Sequence, residues 1–280
     1  MRSRGILFAA LAAAVAAACG CSPSVPSPPP PPPARRGLVE AFRHPLGMQF
    51  VVVPAAGPVS AKFVGLEVTN NPRVPYLMSA HEITNKQYEA FVAAYKKDVA
   101  ARDPEAEMDE ATRELDERIL AHERHAKSPG DDHPVNNVTA EEAAAFCRWL
   151  GRTDDDGRTY RLPRTDEWDY AARGGKSYRR YPWGDEIDAE KACYNADGTE
   201  PVGSYPPNAF GLYDVVGNVA EWNIHDGFPP YTLRGGSWRD APARLQFTRV
   251  GRRPGRRPSL DHHGFRVYCE PAGLAVATRE

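Results

Sequence analysis

The sequence predicts a single α+β domain carried behind an export signal. Three features lead there. An apolar N-terminal run ends at a cysteine and is followed by prolines. Short apolar runs that read as strands then alternate with capped amphipathic helices. Beyond Gly174 the chain is rich in Gly, Pro, Asn and aromatic residues, with few long periodic runs, so loops pinned by specific side chains make up much of that half. The 280 residues allow one large domain or two small ones, with ample chain for a core.

Arg2 and Arg4 precede an unbroken apolar run from Ile6 to Ala18, too short to span a bilayer. It ends in Ala16-Ala17-Ala18-Cys19, which resembles the bacterial lipobox. The resemblance implies that Cys19 carries lipid and becomes the mature N-terminus; Cys21 is a second acylation candidate, and ordinary cleavage at an Ala-x-Ala site is the alternative. Ser22 to Pro33 favours polyproline II and has no helix or sheet option over Pro28 to Pro33. At ~3.1 Å per residue it would hold a domain roughly 37 Å from the headgroups. The expected organisation is a signal peptide over 1–18, an anchor cysteine and tether over 19–42, a domain over 43–272 and a tail over 273–280. The expected location is the bacterial cell envelope, lipid-anchored, at the periplasmic or outer-membrane face.

The net charge of -2 gives no global field for nucleic acid, which is not expected as a partner. Locally, Arg234 to Arg257 holds eight arginines and one acid, Asp240. Their alternation with Trp238, Leu245, Phe247 and Val250 suits half-buried arginines that fork onto carboxylates. Five cysteines occur, without a CxxC or a Cys/His zinc spacing. Cys147 falls on the apolar face of a helix, and Cys193 and Cys269 are free to pair in an oxidising envelope.

Met48 to Val53 and Pro75 to Ala80 read as strands. Thr84 with Gln87 is a capping box. It opens a helix that buries Tyr88, Phe91, Val92 and Tyr95. Asp103-Pro104-Glu105 reads as the start of a solvent-facing helix with Met108, Ala111, Leu115 and Ile119 as its stripe. Thr139 with Glu142 is a second capping box, before a face of Ala143, Phe146, Cys147 and Leu150. Tyr160 to Pro163 ends a strand, and Thr165 reads as the cap of a short helix with Asp166 and Glu167 in its first turn.

Six blocks occur in order. They are His133 to Leu150 (HPVNNVTAEEAAAFCRWL), Tyr160 to Gly175 (YRLPRTDEWDYAARGG), Tyr181 to Asp185 (YPWGD), Pro201 to Trp222 (PVGSYPPNAFGLYDVVGNVAEW), Arg234 to Trp238 (RGGSW) and Gly264 to Val267 (GFRV). Together they resemble the formylglycine-generating enzyme, or sulfatase-modifying factor, domain over roughly residues 45 to 270. The resemblance implies an irregular α+β fold of the C-type lectin-like kind.

What the resemblance implies about chemistry is divided. Two carboxylates, Asp214 and Glu221, flank a glycine turn, and with the carbonyls of Gly217 and Val219 they match the family's calcium positions. Calcium takes six to eight such oxygens. The alternative is a turn in which Asp214 and Glu221 pair with arginines such as Arg266. Asn195, with the Ala196 carbonyl, matches the first half of a second calcium site whose remainder is shortened here. The family's copper(I) sits between two thiolates; Asp240 and Leu245 stand at those positions, and a carboxylate and an alkyl group do not replace soft ligands. No copper is therefore expected.

The leading expectation is a non-catalytic binding or structural module for an unknown protein or glycan ligand. Its cleft would lie at Trp238, Asp240 and Arg244, with His225 and His263 nearby. The alternative is an oxygen-dependent non-haem iron oxidoreductase with a rebuilt site, for which His225, Asp226, Asp240 and His263 form the set to test. His122, His125 and His262 read as surface or loop residues.

Overall fold

The computed structural model describes residues 40–55, 62–63, 66–67, 72, 74–176, 179–247 and 260–270. The chain divides into two units, Met1–Pro31 and Pro32–Glu280, and every described residue belongs to the second. The signal sequence, Cys19, Cys21 and the proline run lie outside the described residues, as do the arginines from 249 to 257. No helix among the described residues is long and apolar enough to cross a membrane.

The central element is a five-stranded antiparallel sheet in the order β1-β2-β5-β10-β6. Its strands are Glu40–Arg43 (β1), Gln49–Val53 (β2), Tyr76–Ser79 (β5), Thr159–Arg161 (β6) and Tyr268–Glu270 (β10). β1 thus starts within the stretch assigned from sequence to the tether. A small hairpin, Lys62–Phe63 (β3) with Leu66–Glu67 (β4), lies between β2 and β5 in sequence. Both faces of the central sheet are buried. Phe50, Leu77 and Cys269 join one apolar cluster, and Val51, Val53, Tyr76, Met78 and Tyr268 join the other. That is why β5 reads as a continuous apolar run instead of alternating.

Helices α1 (Asn85–Ala100), α2 (Glu110–Leu120) and α3 (Ala140–Arg152) cover the first face. Both capping boxes form as expected, at Thr84/Gln87 and Thr139/Glu142, and the expected apolar residues of α1 and α3 are buried. α2 begins later than its sequence suggests. Asp103 closes a local turn by accepting from Glu105 N at 2.9 Å, while Asp109 is the cap and accepts from Thr112 N at 2.7 Å. Tertiary contacts favour the later start: Asp116 accepts from Tyr95 Oη at 2.6 Å, and Ile119 is fully buried.

Helix α4 (Thr165–Arg173) packs on the second face. Its cap is Arg164, not Thr165. Glu167 reaches back to accept from Arg164 N at 2.8 Å, and Thr165 Oγ1 donates to the Ile224 carbonyl at 3.1 Å. A second sheet, in the order β8-β7-β9, is built from Ala220–Ile224 (β7), Tyr231–Arg234 (β8) and His263–Gly264 (β9). β7 runs antiparallel to β8 and parallel to β9. Cys147, Cys193 and Cys269 are free buried thiols, so the pairing of Cys193 with Cys269 that the sequence left open is not made. Cys269 sits in β10 between β5 and β6, whereas Cys193 lies in a loop with its Sγ 3.5 Å from the Gly198 carbonyl.

Arg266, between β9 and β10, is fully buried and forks onto Glu221 of β7. Its Nε donates to Oε2 at 2.6 Å and its Nη2 to Oε1 at 2.7 Å. Trp168 of α4 donates its indole N–H to Oε2 at 2.6 Å. The remaining guanidinium donors reach the carbonyls of Ser79, Ala80 and Tyr213. Replacing Arg266 by Met leaves the Glu221 carboxylate buried without its counter-charge, so urea denaturation should show a loss of about 3–5 kcal/mol. The Arg266→Met/Glu221→Leu double variant should recover much of it. A loss below about 1 kcal/mol in the single variant would show that the pair does not hold the two sheets together.

Candidate functional site

Two neighbourhoods collect the residues singled out from sequence. The first is a buried acidic cluster around the turn that precedes β7. Asp214 and Asn218 adopt left-handed backbone, φ 55° and 54°, as short polar side chains do most readily. Gly217 has φ 84°, and a Cβ there would meet the Cys193 carbonyl oxygen at 2.1 Å, so no other residue fits. The turn places three carboxylates together. Glu82 accepts from Asn218 Nδ2 at 2.6 Å and from Val219 N at 3.0 Å. Asp214 Oδ2 accepts from Gly203 N at 2.6 Å. Glu221 is bound by Arg266 and Trp168.

One guanidinium thus faces three buried carboxylates. Burial and the charges of Asp214 and Glu221 push the Glu82 carboxyl well above its ordinary range. Burial raises Asp214 to about 7, against the opposing pull of the Gly203 N–H and Arg266. Asp214 Oδ1 is buried with no hydrogen-bond partner among the described residues. An acceptor of this kind, in a cluster short of positive charge, fits a hard cation. Glu221 fits less well: both its oxygens are taken by Arg266 and Trp168, the pairing that the sequence left open as an alternative. Among the described residues, no group of three or more His, Cys, Asp or Glu side chains is arranged to hold a metal ion by itself. Asn195 is engaged elsewhere through its backbone. Its N–H donates to the Asp240 carbonyl at 3.3 Å, and Ala196 N donates to the Trp238 carbonyl at 2.8 Å.

The second neighbourhood is a cleft of about 180 Å³ beside the second sheet. Asp240, Arg244, Leu245, His262 and His263 line it. Asp240 is fixed by a tight turn, in which Oδ2 accepts from Ser237 N at 3.0 Å and from Ser237 Oγ at 2.8 Å. Leu245 closes the 3₁₀ turn Pro242–Arg244 and is buried. Its side chain fills the space beside Gly236, where a Cβ would come within 2.3 Å of Leu245 Cδ2. The three free thiols lie away from this lining, and burial pushes each up to about 12.

The structure brings together only part of the expected cleft. Trp238 stands behind the wall instead of lining it, with Lys127 and Arg239 over its ring at 6.0 and 5.4 Å. His225 is outside, in a loop where its N–H donates to the Pro230 carbonyl at 2.8 Å. Asp226 pairs with Arg164. His225, Asp226, Asp240 and His263 therefore do not converge as an iron site requires. His122 is half-buried, its ring packed edge-on against Tyr88 with centroids 4.6 Å apart. Glu82 and Asp261 escaped the sequence reading, and His262, read as a surface or loop residue, is buried in the cleft lining. The available signal was the Asp261-His262 pair just before the GFRV block.

A family model described as a sulfatase-modifying factor enzyme 1-like domain matches residues 41–271. The chain is 35% identical over 121 residues to the formylglycine-generating enzyme of Mus musculus, covering 35% of this chain and 30% of that protein. It is 36% identical over 155 residues to the inactive C-alpha-formylglycine-generating enzyme 2 of Mus musculus, covering 48% of each. A third relative is the serine/threonine-protein kinase Pkn1 of Chlamydia trachomatis, 36% identical over 159 residues that cover 56% of this chain and 24% of that protein. The chain thus spans between about a quarter and a half of these relatives' lengths. Among solved structures, PvdO from Pseudomonas aeruginosa matches with a TM-score of 0.57 at 24% identity, over 82% of this chain and 97% of its own. CarF matches with a TM-score of 0.56 at 24% identity, over 81% of this chain and 99% of its own. At that identity the likeness is one of fold. With the family model spanning nearly all of the described chain, the protein belongs to the sulfatase-modifying factor enzyme 1-like (formylglycine-generating enzyme-like) domain family.

Proposed function

We propose that this domain is a non-catalytic binding module of the bacterial cell envelope, held at the membrane by lipid on Cys19. The observation that carries the reading is the chemistry of the cleft: where the family resemblance expects two thiolates, a carboxylate turn at Asp240 and a buried alkyl group at Leu245 occupy the lining. Neither is a soft ligand for copper(I). A relative whose name describes it as inactive gives a precedent for the scaffold outlasting the oxidase. The fold presents loops on a rigid frame, which suits recognition, and the ligand class at this level is a protein or a glycan. No observation favours the iron alternative over this one.

The same reading includes a structural calcium ion. Asp214, with the carbonyls of Gly217 and Val219, would hold it, and it would supply the positive charge that the acidic cluster lacks. The support is the buried Asp214 Oδ1, which has no partner among the described residues.

Three outcomes test these proposals. Incubated with copper, oxygen and a sulfatase-type cysteine peptide, the protein should leave the peptide mass unchanged; conversion of that cysteine to an aldehyde overturns the non-catalytic reading. For calcium, the sign follows from Asp214. A carboxyl raised from 3.8 to about 7 takes up a proton on folding, so the metal-free domain is most stable below pH 4 with respect to this group and loses that stability as pH rises through 7. The loss is on the order of 4 kcal/mol. Calcium should therefore raise the melting temperature at pH 8 far more than at pH 5, and Asp214→Asn should flatten both effects. An equal melting temperature with and without calcium at pH 8 removes the ion from the proposal. Finally, Cys19→Ser should release the protein from membranes; a variant that stays bound, from a parent without acyl mass, refutes the anchor.

A further inference from the structure

His262 lines the cleft, yet neither the acidic cluster nor the Asp240 turn uses it. It is only 3% exposed. Its Nδ1 lies 3.0 Å from Asp261 Oδ1, and Arg239 Nη1 donates to the same oxygen at 3.0 Å. Burial pushes the Asp261 carboxyl upward, but the His262 hydrogen bond and the Arg239 charge outweigh it and hold the group below its ordinary range. Asp261 is therefore a carboxylate at neutral pH and takes the proton-bearing Nδ1 of His262. Arg239, 3.4 Å from that nitrogen, is a donor and has Asp261 as the nearer acceptor. In the neutral ring this tautomer leaves Nε2 as a lone-pair acceptor. Nε2 is buried, and no group among the described residues hydrogen-bonds to it.

The surroundings restrict what can meet this lone pair. A carboxylate or phosphate oxygen brings no donor to this lone pair, and Asp169 and Asp240 add like charge to the lining. An ammonium group would meet a lining in which Arg234 and Arg244 balance Asp169 and Asp240, Arg234 pairing with Asp169 at 3.2 Å, so it finds no net counter-charge there. Stacking is also restricted. Arg173 lies over the Phe247 ring at 5.2 Å, Trp168 meets the same ring nearly at right angles, and Lys127 and Arg239 approach Trp238.

We propose that His262 is the recognition residue of this cleft, its Nε2 accepting a hydrogen bond from a neutral amide or hydroxyl group of the ligand, with Asp261 and Arg239 as the positioning residues that fix its tautomer. The assignment rests on the reading of the cleft as a binding site, and it narrows the ligand to one that buries an uncharged N–H or O–H donor there.

The full chain, labelled with ¹⁵N at histidine and in the backbone, tests it by NMR with two probes that differ by one donor. N-methylacetamide carries an N–H; N,N-dimethylacetamide does not; acetate serves as the anionic control. The expected result is an unprotonated Nε2 whose resonance shifts as N-methylacetamide is added and stays in place with the other two. Asp261→Asn should weaken that response by releasing the tautomer, and His262→Phe should abolish the difference between the amides. A protonated Nε2, or equal shifts with both amides, overturns the role of His262 while the responses of Asp240 and Leu245 still report a binding cleft. No response at any cleft residue to any probe overturns the role of His262 and the binding reading together.

Discussion

The guanidinium of Arg266 and the carboxylate of Glu221 are withdrawn from water completely, and the rest of the domain is arranged so that they can be. Burying an ion pair costs several kcal/mol per charge unless every donor and acceptor is satisfied. Here satisfaction requires Trp168 from α4, the carbonyls that end β5, and the Tyr213 carbonyl from the turn before β7. Two sheets, a helix and a loop must arrive together for the pair to be tolerated. The second sheet has only short strands, and its position is set by this polar junction as much as by its apolar contacts.

Legibility from sequence followed the range of the interactions. The caps at Thr84 and Thr139 were readable because donor, acceptor and spacing lie within four residues. The start of α2 was not. Asp103 and Asp109 are both good local caps, and the choice between them was made by Tyr95 and by the burial of Ile119, which are distant in sequence. Likewise Thr165 has the chemistry of a cap, but its hydroxyl is drawn to the Ile224 carbonyl. The two central strands were found because apolar runs mark strands buried on both faces.

The candidate site divides on the same line. Asp240, Arg244, Leu245 and His263 could be placed by their distance from the RGGSW and GFRV blocks. His225 is as near in sequence, but its loop is tied back at Pro230 and carries it away. His262 adjoins a residue that was named, yet its character comes from which nitrogen Asp261 engages, and only geometry decides that. The buried charge imbalance was half visible. Asp214 and Glu221 stand out around their glycine turn; Glu82 joins them from 136 residues before Asn218, through Asn218 and Val219.

The loop from Cys193 to Ala196 gives these separate observations a mechanical connection. At one end the Cys193 carbonyl accepts from Asn218 N at 2.9 Å, inside the acidic turn. At the other, Asn195 and Ala196 donate to the carbonyls of Asp240, in the cleft lining, and Trp238, behind it. Gly217 packs tightly at the first contact, since even a methyl group would collide there. Four residues of backbone therefore join the acidic turn to the turn that carries Asp240, so a substitution that disturbs one of these turns also loads the hydrogen bonds of the other.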